Sequence, residues 1–200
     1  GGRGEVAEVL AGIAAAEAAG FARIKLNCVV LRGVNDHQVM DLAARFRGTP
    51  HVVRFIEYMD VGTLNRWRAE NVVPSAELLA RIGGRWPLRP LQPNYRGEVA
   101  QRYAYADGAG EIGFISSVSQ PFCGDCARAR LSADGKLYTC LFARRGFDLR
   151  GPLRDGAGDE ELMRLIGGRW ALRTDRYSEL RAELRATGSN EKVEMYEIGG

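Results

Sequence analysis

Residues 21–59 read FARIKLNCVVLRGVNDHQVMDLAARFRGTPHVVRFIEYM, and the way apolar residues recur along them decides the fold. From Phe21 to Leu31 the pattern alternates, with Ile24, Leu26, Cys28 and Val30 on one face and Arg23, Lys25, Asn27 and Val29 on the other. This is a strand with one apolar face and one polar-bearing face. Gly33 and Asn35 mark a loop, Asp36 offers a helix-capping carboxylate, and Val39, Leu42, Ala43 and Phe46 then repeat at helical spacing as far as Gly48. A second strand follows over His51 to Met59. Strand, helix and strand within about 40 residues form a βαβ unit, which implies parallel strands joined by a right-handed crossover.

Upstream, Val6, Val9, Leu10 and Ile13 predict a helix over Glu5 to Ala19, closed by Gly20 where a left-handed cap belongs. One βαβ unit cannot close a sheet. The sheet is therefore expected to be completed by something beyond these residues, or the sequence is a fragment. Downstream of Asp60 the character changes. Leu64 to Val73 is polar, Pro74 and Ser75 open a short helix through Ile82, and Pro87, Pro90 and Pro93 enforce an extended connection. Two hairpins are then predicted: Val99–Ala106 with Glu111–Ser119, and Ala127–Ser132 with Lys136–Leu141. Helices are expected at Asp159–Ile166 and Tyr177–Ala186. The division this suggests is 1–62 and 63–200.

The 200 residues are 46% hydrophobic, enough to bury a core. The longest apolar runs fall far short of the ~18 residues a membrane span needs, and no secretory signal opens the sequence. These features point to a cytoplasmic protein with no membrane partner. A net charge of +3 is too mild to argue for nucleic acid. The basic residues are nearly all arginine, with lysine only at Lys25, Lys136 and Lys192. Arginine suits bidentate phosphate recognition, but coding bias is the better explanation of the preference from composition alone, so it carries meaning only beside a site.

Of the four cysteines, Cys28 stands alone on the apolar strand face and reads as core, while Cys123, Cys126 and Cys140 cluster. A two-residue spacer lets Cys123 and Cys126 grip one metal centre, and the second hairpin returns Cys140 towards them. Spacing alone leaves open a structural zinc site, an iron–sulfur cluster and metal-free thiols. Structural zinc wants four protein ligands, and the other candidates, Cys28, His37 and His51, lie far away in sequence, whereas a [4Fe–4S] cluster held by three cysteines keeps one iron free; spacing by itself still puts zinc first. Hairpin register bears on this. A two-residue Asp134-Gly135 turn would set Cys140 opposite Ala129. A three-residue turn with left-handed Gly135 pairs Ser132 with Lys136, Arg130 with Tyr138 and Arg128 with Cys140, gathering thiols and arginines on one face. The second register is expected. Arg128 and Arg130 would then flank the centre, suited to an anion such as a triphosphate, although an ordinary solvated strand face would look the same.

The sequence resembles the GTP 3′,8-cyclases of molybdenum-cofactor biosynthesis, a radical S-adenosylmethionine family. The resemblance lies in Ile24-Lys25-Leu26-Asn27 leading to Arg32-Gly33-Val34-Asn35-Asp36, in the run Arg54 to Gly62, in Phe122-Cys123-Gly124-Asp125-Cys126 through Ser132 to Cys140-Leu141-Phe142, and in Arg176-Tyr177-Ser178 and Gly199-Gly200. It implies the C-terminal portion of such a protein. The fold class it implies is α/β, a fragment of an incomplete (β/α) TIM-like barrel (1–62) followed by an antiparallel hairpin and α region (63–200). The family's CxxxCxxC motif, which holds a second [4Fe–4S] cluster that cleaves S-adenosylmethionine, is absent from this sequence.

The resemblance further implies that Cys123, Cys126 and Cys140 hold a [4Fe–4S] cluster whose open iron anchors guanine. It assigns GTP binding to Lys25, Arg54, Arg128, Ala129 and Arg130, and S-adenosylmethionine contact to Met59. Gly199-Gly200 resembles a flexible tail that reaches the family's active site. The missing N-terminal part of the barrel is an implied partner, and a homodimer is permitted. The rival reading is a zinc-ribbon-like module in which the same cysteines hold zinc and the arginines bind nucleic acid.

Overall fold

Val30 and Phe55, almost wholly buried, are the points at which the alternating strands of the βαβ unit meet the helices packed on them. The structure is a computed structural model that describes residues 5–62, 64–186 and 193–198. Contacts divide the chain into two compact units, 1–58 with 70–119, and 59–69 with 120–200.

In the first unit, helix α1 (Val6–Ala18) is followed by β1 (Lys25–Val30), a 3₁₀ turn at Asp36–Gln38, α2 (Val39–Phe46) and β2 (Val52–Glu57). β1 and β2 pair in parallel, as the βαβ reading predicts, with Asn27 beside Arg54. Asp36 does not cap α2. Its Oδ1 accepts from Gly33 N at 2.8 Å and closes the preceding loop instead. Next come α3 (Ser75–Arg85), the edge strand β3 (Leu88–Leu91), β4 (Gln101–Tyr105) and β5 (Glu111–Ile115). Pro90 sits in β3, where the missing N–H is tolerated at a sheet edge.

The first predicted hairpin is present as β4–β5, and it joins the same sheet. β5 lies parallel to β2, giving the order β1-β2-β5-β4-β3. The described residues thus form an open sheet, parallel on one side and antiparallel on the other, and not a closed barrel. α2 and α3 cover one face with a core of Val30, Val39, Phe55, Leu78, Ile82 and Phe114. Cys28 packs against this core as expected, and burial pushes its thiol pKa up. The other face carries Lys25, Asn27 and Arg54.

A carboxylate interrupts the apolar face of β2. Glu57 is 1% exposed and accepts from Ser75 N (2.8 Å), Val118 N (2.8 Å) and Ser119 N (2.7 Å), and from the Ser119 hydroxyl. α1, by contrast, buries no residue and is tied to the sheet by Glu17, which His51 Nε2 meets at 2.8 Å.

The second unit holds a three-stranded sheet, β6 (Arg130–Leu131), β7 (Lys136–Tyr138) and β8 (Phe147–Asp148), then α4 (Arg150–Arg154), α5 (Asp159–Ala171) and α6 (Arg181–Ala186). Arg130 pairs with Tyr138, Ser132 N donates to Lys136 O at 3.0 Å, and Gly135 has φ +79°. This is the three-residue turn predicted from the sequence, although the ladder is shorter than expected. Asp60, 1% exposed, accepts from Arg181 Nε (2.8 Å) and the Tyr177 hydroxyl (2.6 Å), with Arg185 Nη1 at 3.5 Å. Tyr177 stacks on Phe142 with ring centroids 4.3 Å apart.

Candidate functional site

The predicted site residues fall into two sets, one in each unit. In the first unit, Lys25 opens β1 and Arg54 lies centrally in β2, both on the face away from the core. They line one cleft of about 220 Å³. Arg54 Nε donates to Asn27 Oδ1 at 2.8 Å. Its strand neighbour on the other side is Gly113, where a Cβ would lie 3.2 Å from Arg54 Cγ. The glycine gives the arginine stem room to lie along the sheet. The Lys25 side chain makes no hydrogen bond or ion pair among the described residues.

The same cleft contains residues to which the sequence reading gave no role. Arg102, opposite Gly113 in β4, donates to Gln92 O, Asn94 Oδ1 and Glu111 Oε2, each at 2.9 Å. Arg23 reaches the same Glu111 oxygen at 2.5 Å. Burial alone would raise the Glu111 carboxyl, but Arg102 and Arg23 outweigh it and hold its pKa below the usual value. Alternation had placed Arg23 on the Lys25 face. Arg102 was hidden because only the long-range pairing of β5 with β2 brings it to this cleft.

In the second unit, Cys123 to Asp125 form a 3₁₀ turn in which Cys126 N donates to Cys123 O at 3.3 Å. Arg128 Nη2 lies 3.3 Å from Cys126 Sγ, and Phe142 N donates to Cys140 Sγ at 3.4 Å. Burial raises the Cys126 thiol, yet the hydrogen bonds and charge of Arg128 dominate and lower it. For Cys140 burial wins over the Phe142 N–H, reinforced by Asp175, Cys123 and Cys126, and its pKa is raised. Burial and the neighbouring Arg128 lower the pKa of Arg130, against the pull of Cys126 and Cys140. The Arg128 guanidinium also lies 5.1 Å over the Phe122 ring.

Cys140 thus feels the charge of both other cysteines, and all three thiols are free. Among the described residues, however, no three His, Cys, Asp or Glu side chains are drawn together as a metal-holding group. The donor chemistry fits an iron–sulfur cluster nonetheless: three thiols, one receiving a backbone N–H and one a guanidinium N–H, the bonds that tune cluster sulfurs.

Met59 follows the end of β2, and its carbonyl accepts from Asn65 Nδ2 at 2.9 Å. It stands beside Asp60, whose buried ion pair the sequence reading missed. The pairing of Asp60 with residues about 120 positions later had no local signal. Gly199 and Gly200 lie outside the described residues.

The first unit is thus a parallel βαβ unit extended by an antiparallel hairpin, and the second holds a short hairpin flanked by three free thiols. Comparison defines the class. The chain belongs to the Molybdenum Cofactor Synthesis C family, whose model matches residues 51–179. It is 61% identical over all 200 residues to a protein named GTP 3′,8-cyclase from Xanthomonas campestris pv. campestris (strain 8004), covering 58% of that relative's length. A protein of the same name from Acidothermus cellulolyticus is 55% identical over 197 residues, 53% of its length, and one from Synechococcus sp. (strain CC9605) is 48% identical over 200 residues, 56% of its length. The chain spans little more than half the length of these relatives, as the sequence resemblance to a portion of such a protein implied.

Proposed function

We propose that this chain is the substrate-binding part of a GTP 3′,8-cyclase, which converts GTP to 3′,8-cyclo-7,8-dihydro-GTP with S-adenosylmethionine at the start of molybdenum-cofactor biosynthesis. Cys123, Cys126 and Cys140 would hold a [4Fe–4S] cluster, with Arg128, Ala129 and Arg130 beside it on the nucleotide. Lys25 and Arg54 take its phosphates, and Met59 contacts S-adenosylmethionine. When bound, such a cluster supplies an iron with an open coordination position that a purine nitrogen or oxygen can occupy. The cluster that cleaves S-adenosylmethionine belongs to the remainder of the longer protein, so this chain alone is inactive. Residues 1–62 correspond in this reading to barrel strands and 63–200 to the cluster-bearing region. The protein acts in the cytoplasm, and association into a homodimer is compatible with it.

The observation that carries this reading is the hairpin register. Arg130 pairs with Tyr138 across a three-residue turn, the register in which thiols and arginines are expected to share one face of the hairpin. Cys123 to Ala129 lie outside the ladder, so drawing the thiols onto one centre breaks no strand hydrogen bond. Lys25 supports the reading independently, as an ammonium without a side-chain partner among the described residues that lines a cleft together with three arginines.

Anaerobic reconstitution with iron and sulfide tests it. The expected result is a brown protein with a visible absorption band that GTP perturbs, and loss of that band in the Cys126→Ala variant. A colourless protein that instead retains zinc and binds DNA or RNA with steep salt dependence would establish the rival zinc module.

A further inference from the structure

We infer that Arg23 is a third phosphate-binding cation of the first unit's cleft, held at rest by Glu111 and transferred to the polyphosphate chain of a nucleoside triphosphate when one enters. The inference rests on the reading of this cleft as the phosphate end of a nucleotide site, and adds a residue and an exchange that the reading lacks.

Arg23 lies two residues before Lys25, just ahead of β1, and lines the same cleft. The cleft is lined by four cationic side chains and two carboxylates, so it has an excess of positive charge. The four cations are not equivalent. Arg102 is fixed by three acceptors on two different segments, a structural role. Lys25 is unpartnered among the described residues, and Arg54 has only the neutral Asn27. Arg23 is intermediate: it has one partner, Glu111, and its side chain is 48% exposed, so it can swing at little cost.

Glu111 is what makes the exchange feasible. It accepts from both Arg23 and Arg102, so when Arg23 leaves, the half-buried carboxylate keeps the Arg102 hydrogen bond and is not left unpaired. A planar guanidinium released in this way can grip two phosphate oxygens with two parallel N–H bonds, a fixed fork that the point charge of a lysine lacks.

The test uses sodium tripolyphosphate as probe, with GTP in parallel, by titration calorimetry at low salt on the parent chain and on R23A, R23K and E111Q. R169A, which removes a charge from α5, controls for net charge. R23A is expected to weaken tripolyphosphate binding about 10-fold, the loss of one charge-assisted contact, with R169A within about 2-fold. R23K recovers only part of the affinity, and E111Q, which frees Arg23, binds at least as tightly as the parent. An unchanged circular dichroism melt for R23A keeps folding out of the comparison. R23A binding within 2-fold of a parent that does bind, or weakened binding by E111Q, overturns this inference alone. A parent that binds neither tripolyphosphate nor GTP overturns the reading beneath it.

Discussion

Arg128 donates to a cysteine sulfur and lies over an aromatic ring, and neither contact is buried deeply enough to hold the fold together. Arg128→Ala is therefore expected to weaken GTP binding by about 10-fold, as for loss of a charge-assisted hydrogen bond, while the melting temperature stays close to that of the parent. Calorimetric titration alongside a thermal melt checks both parts, and equal affinity would remove its assigned role. Tyr177 is a residue of the opposite kind. Burial, together with its hydrogen bond to Asp60 and that carboxylate's charge, raises its pKa well above the ordinary phenol value. The unfolded chain releases this proton near pH 10, before the folded chain does. The contribution to stability is therefore complete below pH 10 and is lost as pH rises towards the folded pKa. Stability curves of the parent and Tyr177→Phe should converge as pH climbs beyond 10, and a constant gap would refute the argument. Lys25, Cys28 and Arg23 were legible from strand alternation alone, because a period of two is a local property. Tyr177 and Asp60 were visible only as motif letters, since their meeting is decided by chain topology.

At the scale of elements, the second hairpin shows how much a short turn can specify. Ser132, Asp134 and Gly135 determine the register. The Ser132 hydroxyl hydrogen-bonds Asp134 and Lys136 O, and Gly135 N donates back to Ser132 O at 2.9 Å. Gly135 is irreplaceable on two counts: its φ of +79°, and the 2.7 Å approach that an added Cβ would make to Arg150 Cβ. Gly135→Ala should cost about 1–3 kcal/mol, read as a lower urea midpoint with an unchanged slope. It should also impair cluster loading, whereas Gly156→Ala, at a left-handed position without a close neighbour, should leave loading intact. The ladder is shorter than predicted because β8 pairs with β7 and the segment after Tyr138 turns away, with Ala143 N donating to Cys140 O. No propensity rule registers a third strand of two residues. Helix α1 illustrates the reverse case. Its apolar periodicity was plain, but a period tells which residues share a face and not what covers it. Val6 is 75% exposed and Val9 59% exposed.

At the scale of the whole molecule, the sheet of the first unit is assembled from one local and one distant event. The β1–α2–β2 crossover is encoded within 39 consecutive residues, and the sequence yields it directly. The parallel docking of β5 on β2 joins residues almost sixty positions apart, and alternation in β5 is as compatible with a free hairpin as with this one. Glu57 is where the distant event is made specific. Its carboxylate closes the first turn of α3 through Ser75 N and holds the chain leaving β5 through Val118 N and Ser119 N. Two segments far apart in sequence thus converge on one acceptor-only group carried by a third. Glu57→Ala strips the Ser75, Val118 and Ser119 N–H groups of a partner, the first buried and the other two part-buried, so a total loss of about 2 kcal/mol or more is expected. Glu57→Gln should fall between that variant and the parent: its amide oxygen still accepts, but its NH₂ faces donors. Urea denaturation supplies the order of stabilities, and amide exchange at Ser75, Val118 and Ser119 locates the loss. An alanine variant as stable as the parent, with those amides still protected, would show that the sheet is joined by apolar packing alone and that the buried carboxylate is incidental to it.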